Sequence, residues 1–440
     1  MSMLLPVPEC PPLIRKTADE FKDLLTPSEY RAFTASLCAA AYGISGYSDI
    51  FRYVMFAPSV SAIGDFFNAK ESLAQKLNRR HRRRLLRILR TVTKDPSRYQ
   101  WVIDDTIVQH YGKTIWGAYN WHDHVTDGYV FGHKILVLGI EDRKRRLLIP
   151  VAWEILHRDL SEEAEDDAEN THEKGWQVAL RLLDDMIAFG FPKLTVAADC
   201  WFACEELFAE LDTREFAYVM EIRSNRKIAQ HGRSNSEISV TEFFSDRERH
   251  VIQHNGKPKF ASEAVLVLNR SERRLKVVAV ANKRSLDDKA FGFYVTNQLT
   301  WNASRVWGIS RDRWGIEVQF RDLKQLFTFG EAAVRSRQAV ETSISVSAIA
   351  LTVIRLEQIA QADANENQHV RPRTAGSIVR DFQLDSLLRC VTKLASTNES
   401  IFRSKFQRRM NRRNMNSKPT EAQWPNGRTA DQGVYAKTGS

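Results

Sequence analysis

The chain has 440 residues, 43% hydrophobic and 27% charged, with 64 Lys and Arg against 54 Asp and Glu for a net charge of +10. That composition excludes a disordered or fibrous polymer and suits two or three domains, and a pI near 9.3 points to an anionic partner such as nucleic acid. Five scattered cysteines, Cys10, Cys38, Cys200, Cys204 and Cys390, exclude a disulfide framework or a paired zinc motif; with no signal-peptide pattern after Met1 and no apolar run read as long enough for a bilayer, the expectation is a cytoplasmic protein without a membrane span.

Residues 1–98 carry a helical period in FKDLLTPSEYRAFTASLCAAAYGI and again in SAIGDFFNAKESLAQKLNRRHRRRLLRILR, and TKDPSRYQ ends the stretch. Within it, residues 76–90 hold eight Lys or Arg and no acid, whereas SEEAEDDAENTHE at 161–173 is strongly acidic. An all-helical N-terminal DNA-binding region is expected, with Arg79, Arg80, Arg83 and Arg84 on DNA phosphates. The competing reading docks this helix on the acidic 161–173 segment.

From residue 101 the pattern becomes WVIDDTIV, YVFGHKILVLGI and RRLLIPVAWEI, three successive strands that predict an antiparallel meander. The amphipathic helix EKGWQVALRLLDDMIAFG stops at Gly190 before Pro192, and KLTVAAD, the helical WFACEELFAELDT and the strand FAYVMEI follow. Strands first and alternating elements after predict a mixed α/β fold in the order of an RNase H-like core. Residues 224–306, with strand-like VTEFF, AVLVLN, LKVVAVA and FGFYVT, predict a β-rich insertion into a catalytic domain spanning 99–365. Helices return in SRDRWGIEVQFRDLKQLF and AVETSISVSAIALTVIRLEQIAQ, and 366–440 is read as a helical region ending in a disordered basic tail.

Asp104 and Asp105 interrupt an otherwise apolar strand, and an ionised carboxylate buried there needs a cation, a metal or several donors. Asp199 ends its own strand, where capping a helix that starts at Trp201 is an equally ordinary role. In RDRWGIEVQFRDLKQ, Ile316, Phe320, Leu323 and Phe327 form an apolar stripe while Arg313, Glu317, Arg321 and Lys324 share a polar face. A solvated row of weak salt bridges is the bland reading of that face. His122, Asp123 and His124 in NWHDH offer a rival metal set, and Trp301 and Trp307 suit either base stacking or core packing.

Taken in order, DDT, AAD and R-x3-E-x6-K resemble the DDE transposases of bacterial insertion sequences. The specific resemblance is to the insertion sequence four family, whose signature Tyr-x2-Arg-x3-Glu-x6-Lys is matched at Arg313, Glu317 and Lys324, with Ser310 in place of the Tyr. It covers roughly residues 100–350 and includes the β-rich insertion. The resemblance implies that Asp105, directly before Thr106, is the first metal ligand with Asp199 and Glu317 completing the triad, and Asp104 points to the opposite face. It implies Mg2+, with Mn2+ as substitute, in a two-metal phosphoryl transfer, and phosphate contacts from Arg313, Arg321 and Lys324. Double-stranded DNA at inverted-repeat ends and at a target, a homodimer on that DNA, and in many relatives a hairpin intermediate follow from the same resemblance. A metal-dependent nuclease without strand transfer and a domesticated DNA-binding protein with an inert core remain the alternatives.

Overall fold

Local capping starts the helical part of the chain. The Thr26 hydroxyl accepts from the Glu29 amide at 3.3 Å while the Glu29 carboxylate takes the Thr26 amide at 2.8 Å, and Pro27 fills the first helical position. The computed structural model describes residues 6–69, 72–89, 94–112, 114–123, 127–156, 173–229, 237–254, 257–268, 273–285, 290–330, 334–364, 373–396 and 404. Its first helices are α1 (Pro12–Asp19), α2 (Pro27–Ala41), α3 (Tyr47–Tyr53), α4 (Val60–Phe67) and α5 (Ser72–Ile88). Residues 32–41 of α2 are all buried, the mark of a helix enclosed on every side.

What encloses α2 is largely a much later helix, α11 (Arg337–Ala364). Phe33, Leu37 and Phe66 share one apolar cluster with Val102, Val108, Ile135 and Trp153 of the sheet and with Ile344 and Leu351 of α11. The N-terminal helices therefore close their core with the rest of the fold, and one compact unit runs through residue 390 without a break at 98 or 365. Against the sequence expectation, α11 is long and apolar enough to cross a membrane; 89% of its apolar window is buried inside the protein. The carboxyl-terminal tail beyond residue 404 lies outside the described residues.

The basic helix α5 is held from both sides. His81 is completely buried, its Nε2 3.1 Å from the Pro150 carbonyl and its ring 5.6 Å from that of Trp153. Arg84 is 6% exposed and donates to the Glu20 carboxylate at 3.1 Å and the Thr17 hydroxyl at 3.2 Å. Arg80 grips Asp23 with two bonds of 2.8 and 2.6 Å, and Arg87 also pairs with Glu20. Of the arginines expected on phosphates, Arg84 is buried on Glu20 and Arg80 is paired with the exposed Asp23, so the compensating acids come from the end of α1 and the turn after it. Arg79 and Arg83 are exposed. Residues 161–172, the docking partner in the competing reading, lie outside the described residues, as does Arg90.

The sheet grows outward from β1 (Tyr99–Gln109). It pairs antiparallel with β3 (Gly128–Asp142), which also carries β2 (Tyr119–Asp123) and β4 (Leu147–Leu156). On its other side β1 runs parallel to β5 (Thr195–Ala198), and β5 parallel to β6 (Tyr218–Ile222). The crossovers are α6 (Gly175–Phe189), closed by Gly190 at φ 109°, and α7 (Glu205–Thr213). Gly132 permits the tight β1–β3 contact, since a Cβ there would fall 2.0 Å from the Val108 carbonyl oxygen.

The β-rich segment does not stand apart. After the small pair β7 (Lys227–Ala229) and β8 (Glu237–Ser239), the strands β9 (His250–His254), β10 (Lys257–Val267), β11 (Arg274–Ala281) and β12 (Gly292–Thr296) extend the main sheet antiparallel from β6. VTEFF, expected as a strand, holds the helical turn α8 (Val240–Phe243), started by the Ser239 hydroxyl accepting from the Glu242 amide at 3.1 Å. Then come α9 (Ala303–Asp312), α10 (Gly315–Leu326) and, after α11, α12 (Ala375–Ser396).

Two outcomes follow from this packing. Burial pushes His81 down to about 3, with Arg84 and Arg82 adding to it and the Pro150 carbonyl opposing. The unfolded chain then takes up a proton near pH 6.5 that the folded chain refuses, so stability is intact above that pH and is lost as pH falls toward 3, by about 2 kcal/mol at pH 5. Urea midpoints at pH 7.5 and 5.0 should separate by less in His81→Leu than in the wild type; equal separations would contradict the assignment. Gly132→Ala should destabilise by about 1–3 kcal/mol because the β1 backbone must move away, and an unchanged melting temperature would contradict that contact.

Candidate active site

β1 pairs with β5 in parallel register, Ile103 opposite Ala198, and β5 with β6, Ala198 opposite Met220. Carrying both registers one residue further sets Asp104 beside Asp199 and Asp199 beside Glu221, all on one face, because parallel partners share a face. The electrostatics agree: Asp104 and Glu221 each feel the charge of Asp199. Glu317, on the first turn of α10, feels Asp199 as well. Four carboxylates from three neighbouring strands and one helix thus converge at the carboxyl ends of the parallel strands, where open α/β sheets place their ligands.

Arg313 stands in the joint between α9 and α10. Its Nη1 donates to Asp104 Oδ2 at 3.1 Å and its Nη2 lies 3.8 Å from Glu317 Oε1, so one guanidinium spans the strand carboxylate and the helix carboxylate. The charge is still unbalanced. Burial, then Asp199, pushes Asp104 up to about 8 despite Arg313, and burial also raises Glu221 and Glu317 against the same Arg313. A hard cation would relieve this all-oxygen set. As the side chains lie, no three His, Cys, Asp or Glu among the described residues are gathered tightly enough to hold a metal ion.

Asp105 is turned the other way. It lies opposite Leu136, its carboxylate 3.2 Å from Lys134 Nζ, and Lys134 in turn sits over the rings of Trp121 at 5.7 Å and Trp201 at 4.9 Å. The expectation placed Asp105 with Asp199 and Glu317 and set Asp104 apart; Asp104 feels the charge of Asp199, and Asp105 is paired with Lys134 at 3.2 Å. Both aspartates open onto a cleft of about 1300 Å³ that Asp199, Trp201, Lys134 and Lys324 also line.

Other expected residues fall as follows. Asp199 does not cap a helix at Trp201; its Oδ1 accepts from the Trp201 amide at 3.0 Å in a turn, and α7 begins at Glu205. Burial lowers Lys324, with Asp123 opposing, and Arg321 is exposed with its guanidinium 3.6 Å from Asp322. His122 lies 3.3 Å from Asp127 at the sheet edge, and His124 is outside the described residues. Trp307 is buried against Tyr294, whereas Trp301 carries the Arg305 guanidinium 4.0 Å from its ring centroid.

Sequence reasoning missed Glu221 and Tyr294. Glu221 gave the same signal as Asp104, a carboxylate alone in an apolar strand. Tyr294 is paired with Glu221 across β6 and β12, and burial, with Glu221 adding, raises its phenol.

Residues 49–237 match the family model described as DDE superfamily endonuclease, and residues 162–353 match the model described as Transposase DDE domain. No curated protein matches the chain. Among solved structures that match is the cryo-EM structure of piggyBac transposase synaptic complex with hairpin DNA, 11% identical, covering 90% of this chain and 80% of that one at a TM-score of 0.44. Each match spans less than half of the chain, so between residues 49 and 353 the chain is similar to DDE endonuclease and transposase domains.

Proposed function

We propose that this chain is a transposase that cuts DNA at the terminal inverted repeats of its own element and joins the freed 3′-hydroxyls to a target. The observation that carries the reading is the row of Asp104, Asp199 and Glu221 across three parallel strands, facing Glu317 with Arg313 between. The strand order β4-β3-β1-β5-β6, with an antiparallel meander on one side of β1 and parallel crossovers on the other, supports an RNase H-like core.

Asp104, Asp199 and Glu317, with Glu221 beside them, are the oxygen donors that would hold Mg2+ or Mn2+. A divalent cation bound there supplies the Lewis acidity and charge neutralisation of an in-line phosphoryl transfer. The chain's own part is positioning. Arg313, which bridges Asp104 and Glu317 at 3.1 and 3.8 Å, would offer its fork of donors to the scissile phosphate if those carboxylates held a cation. Lys324, half-buried on the same helix, reaches the cleft for a neighbouring phosphate, and exposed Arg321 extends the basic face. The signature match at Arg313, Glu317 and Lys324, with Ser310 at the Tyr position, supports membership of the insertion sequence four family. Action as a dimer on paired ends belongs to the same reading. A nuclease without strand transfer is the second reading, favoured by the endonuclease description of the model matching 49–237.

Single substitutions separate the two aspartates. Asp104→Asn, Asp199→Asn and Glu317→Gln should each lower Mg2+-dependent nicking of DNA carrying the gene's own flanks by at least about 100-fold, whereas Asp105→Asn, losing a contact to Lys134, should cost less than about tenfold. Full loss in Asp105→Asn with near-normal Asp104→Asn would return the first ligand to Asp105. Strand joining to a second duplex by the wild type separates transposase from nuclease. On α5, only Arg79 and Arg83 remain exposed of the four arginines, so replacing that pair by Gln should reduce the salt slope of DNA binding by about two. An equal reduction from Arg80→Gln with Arg84→Gln, at unchanged stability, would contradict the ion pairs described above.

A further inference from the structure

A second cavity, of about 270 Å³, lies where the α9–α10 joint meets the turn between β3 and β4; Glu141, Arg146, Arg311, Trp314, Gly315 and Arg355 line it. Glu141 is 1% exposed. Its Oε2 accepts from Gln100 Nε2 at 3.1 Å, but its Oε1 is buried with no hydrogen-bond partner, a costly state for a polar atom. Gly315 lets the helix backbone come close to that oxygen, since a Cβ at 315 would lie 2.9 Å from Oε1. Arg355 adds a second buried atom without a partner, its Nε, although its Nη2 donates to Asp322 at 2.8 Å. Burial, with Asp312 adding, holds the Glu141 carboxyl well above its usual range.

The rim has its own chemistry. Arg311 and Arg146 are exposed cations, and Arg146 sits at φ 55°, a left-handed position that Gly or Asn would fill without strain. Trp314 is 52% exposed, with the Arg311 guanidinium 5.9 Å from its ring centroid. Asp312, the remaining acid in the wall, is already paired with Arg143 at 2.8 Å. Two guanidinium groups at the mouth and an open indole face select a ligand with anionic oxygens and a flat ring.

We propose that this cavity binds a nucleotide, its phosphate between Arg146 and Arg311 and its base against Trp314. The volume is at the small end for ligand sites, enough for a phosphate with part of a sugar or base and too small for a duplex. A free mononucleotide and an unpaired nucleotide of a DNA strand present the same groups. The site uses none of the carboxylates of the candidate active site, so it stands or falls apart from the transposase reading.

Calorimetric titration of the full chain in EDTA, which leaves the carboxylate row bare, tests this with thymidine 5′-monophosphate, inorganic phosphate and a short oligothymidylate. Saturable binding of the mononucleotide is expected, weakened at least about tenfold in Arg146→Gly and in Trp314→Leu and kept in Asp104→Asn. Thermal midpoints should be unchanged in both rim variants, since both side chains are exposed and glycine suits the backbone at 146. Binding of the oligothymidylate alone, with the same sensitivity, would assign the site to a DNA strand. Failure to bind either, or binding indifferent to both variants, would overturn the proposal, and phosphate binding indifferent to Trp314→Leu would overturn the nucleotide assignment.

Discussion

Everything at the candidate active site depends on the parallel register of β1, β5 and β6. Neighbouring strands lie about 4.8 Å apart, so carboxylates on matched positions stand at roughly that spacing. Two such charges repel by about 3 kcal/mol at an effective dielectric of 20, and the row contains three, with Glu317 facing them. A fold that only needed stability would not assemble this row. Burial first, with the charge of Asp199 adding, raises the carboxyls of Asp104, Glu221 and Glu317, and Arg313 opposes this at each.

The rest of the chain supplies the rigidity that such a conflict requires. α11 runs through the core and packs on α2, tying the N-terminal helices to the sheet, while α10, which carries Arg313's partner Glu317, is packed on α11, β1 and β4. Arg355 of α11 is paired with Asp322 of α10 at 2.8 Å, so the helix bearing Glu317 is pinned from behind by a buried ion pair. On the far flank, α5 spends Arg80, Arg84 and Arg87 on Glu20 and Asp23, which leaves a basic helix much less free to meet DNA than its sequence suggests.

The elements themselves were legible where the periods were long and the punctuation clear. The strands around DDT, AAD and FAYVMEI, and the helix ending at Gly190, stand where the sequence puts them. The choice between Asp104 and Asp105 was not legible, because adjacent strand residues face opposite ways and only pairing with β5, some ninety residues later, decides which face holds Asp199. Glu221 was hidden for the same reason. VTEFF misled because four residues of β-forming type are too few to outweigh a Ser239 cap. The tertiary partners of Arg80 and Arg84 lie about sixty residues upstream, beyond the reach of any local pattern.

The central claim is that Asp104, Asp199, Glu221 and Glu317 surround one cation-binding place. Iron-directed hydroxyl-radical cleavage of the polypeptide measures this most directly, since Fe2+ occupies oxygen sites of this kind and cuts the backbone beside it. The account predicts cuts near residues 104, 199, 221 and 317 that Mg2+ suppresses and that are absent in Asp104→Asn. Cuts confined to the His122 region, or a cleavage pattern indifferent to Mg2+ and to Asp104, would contradict it.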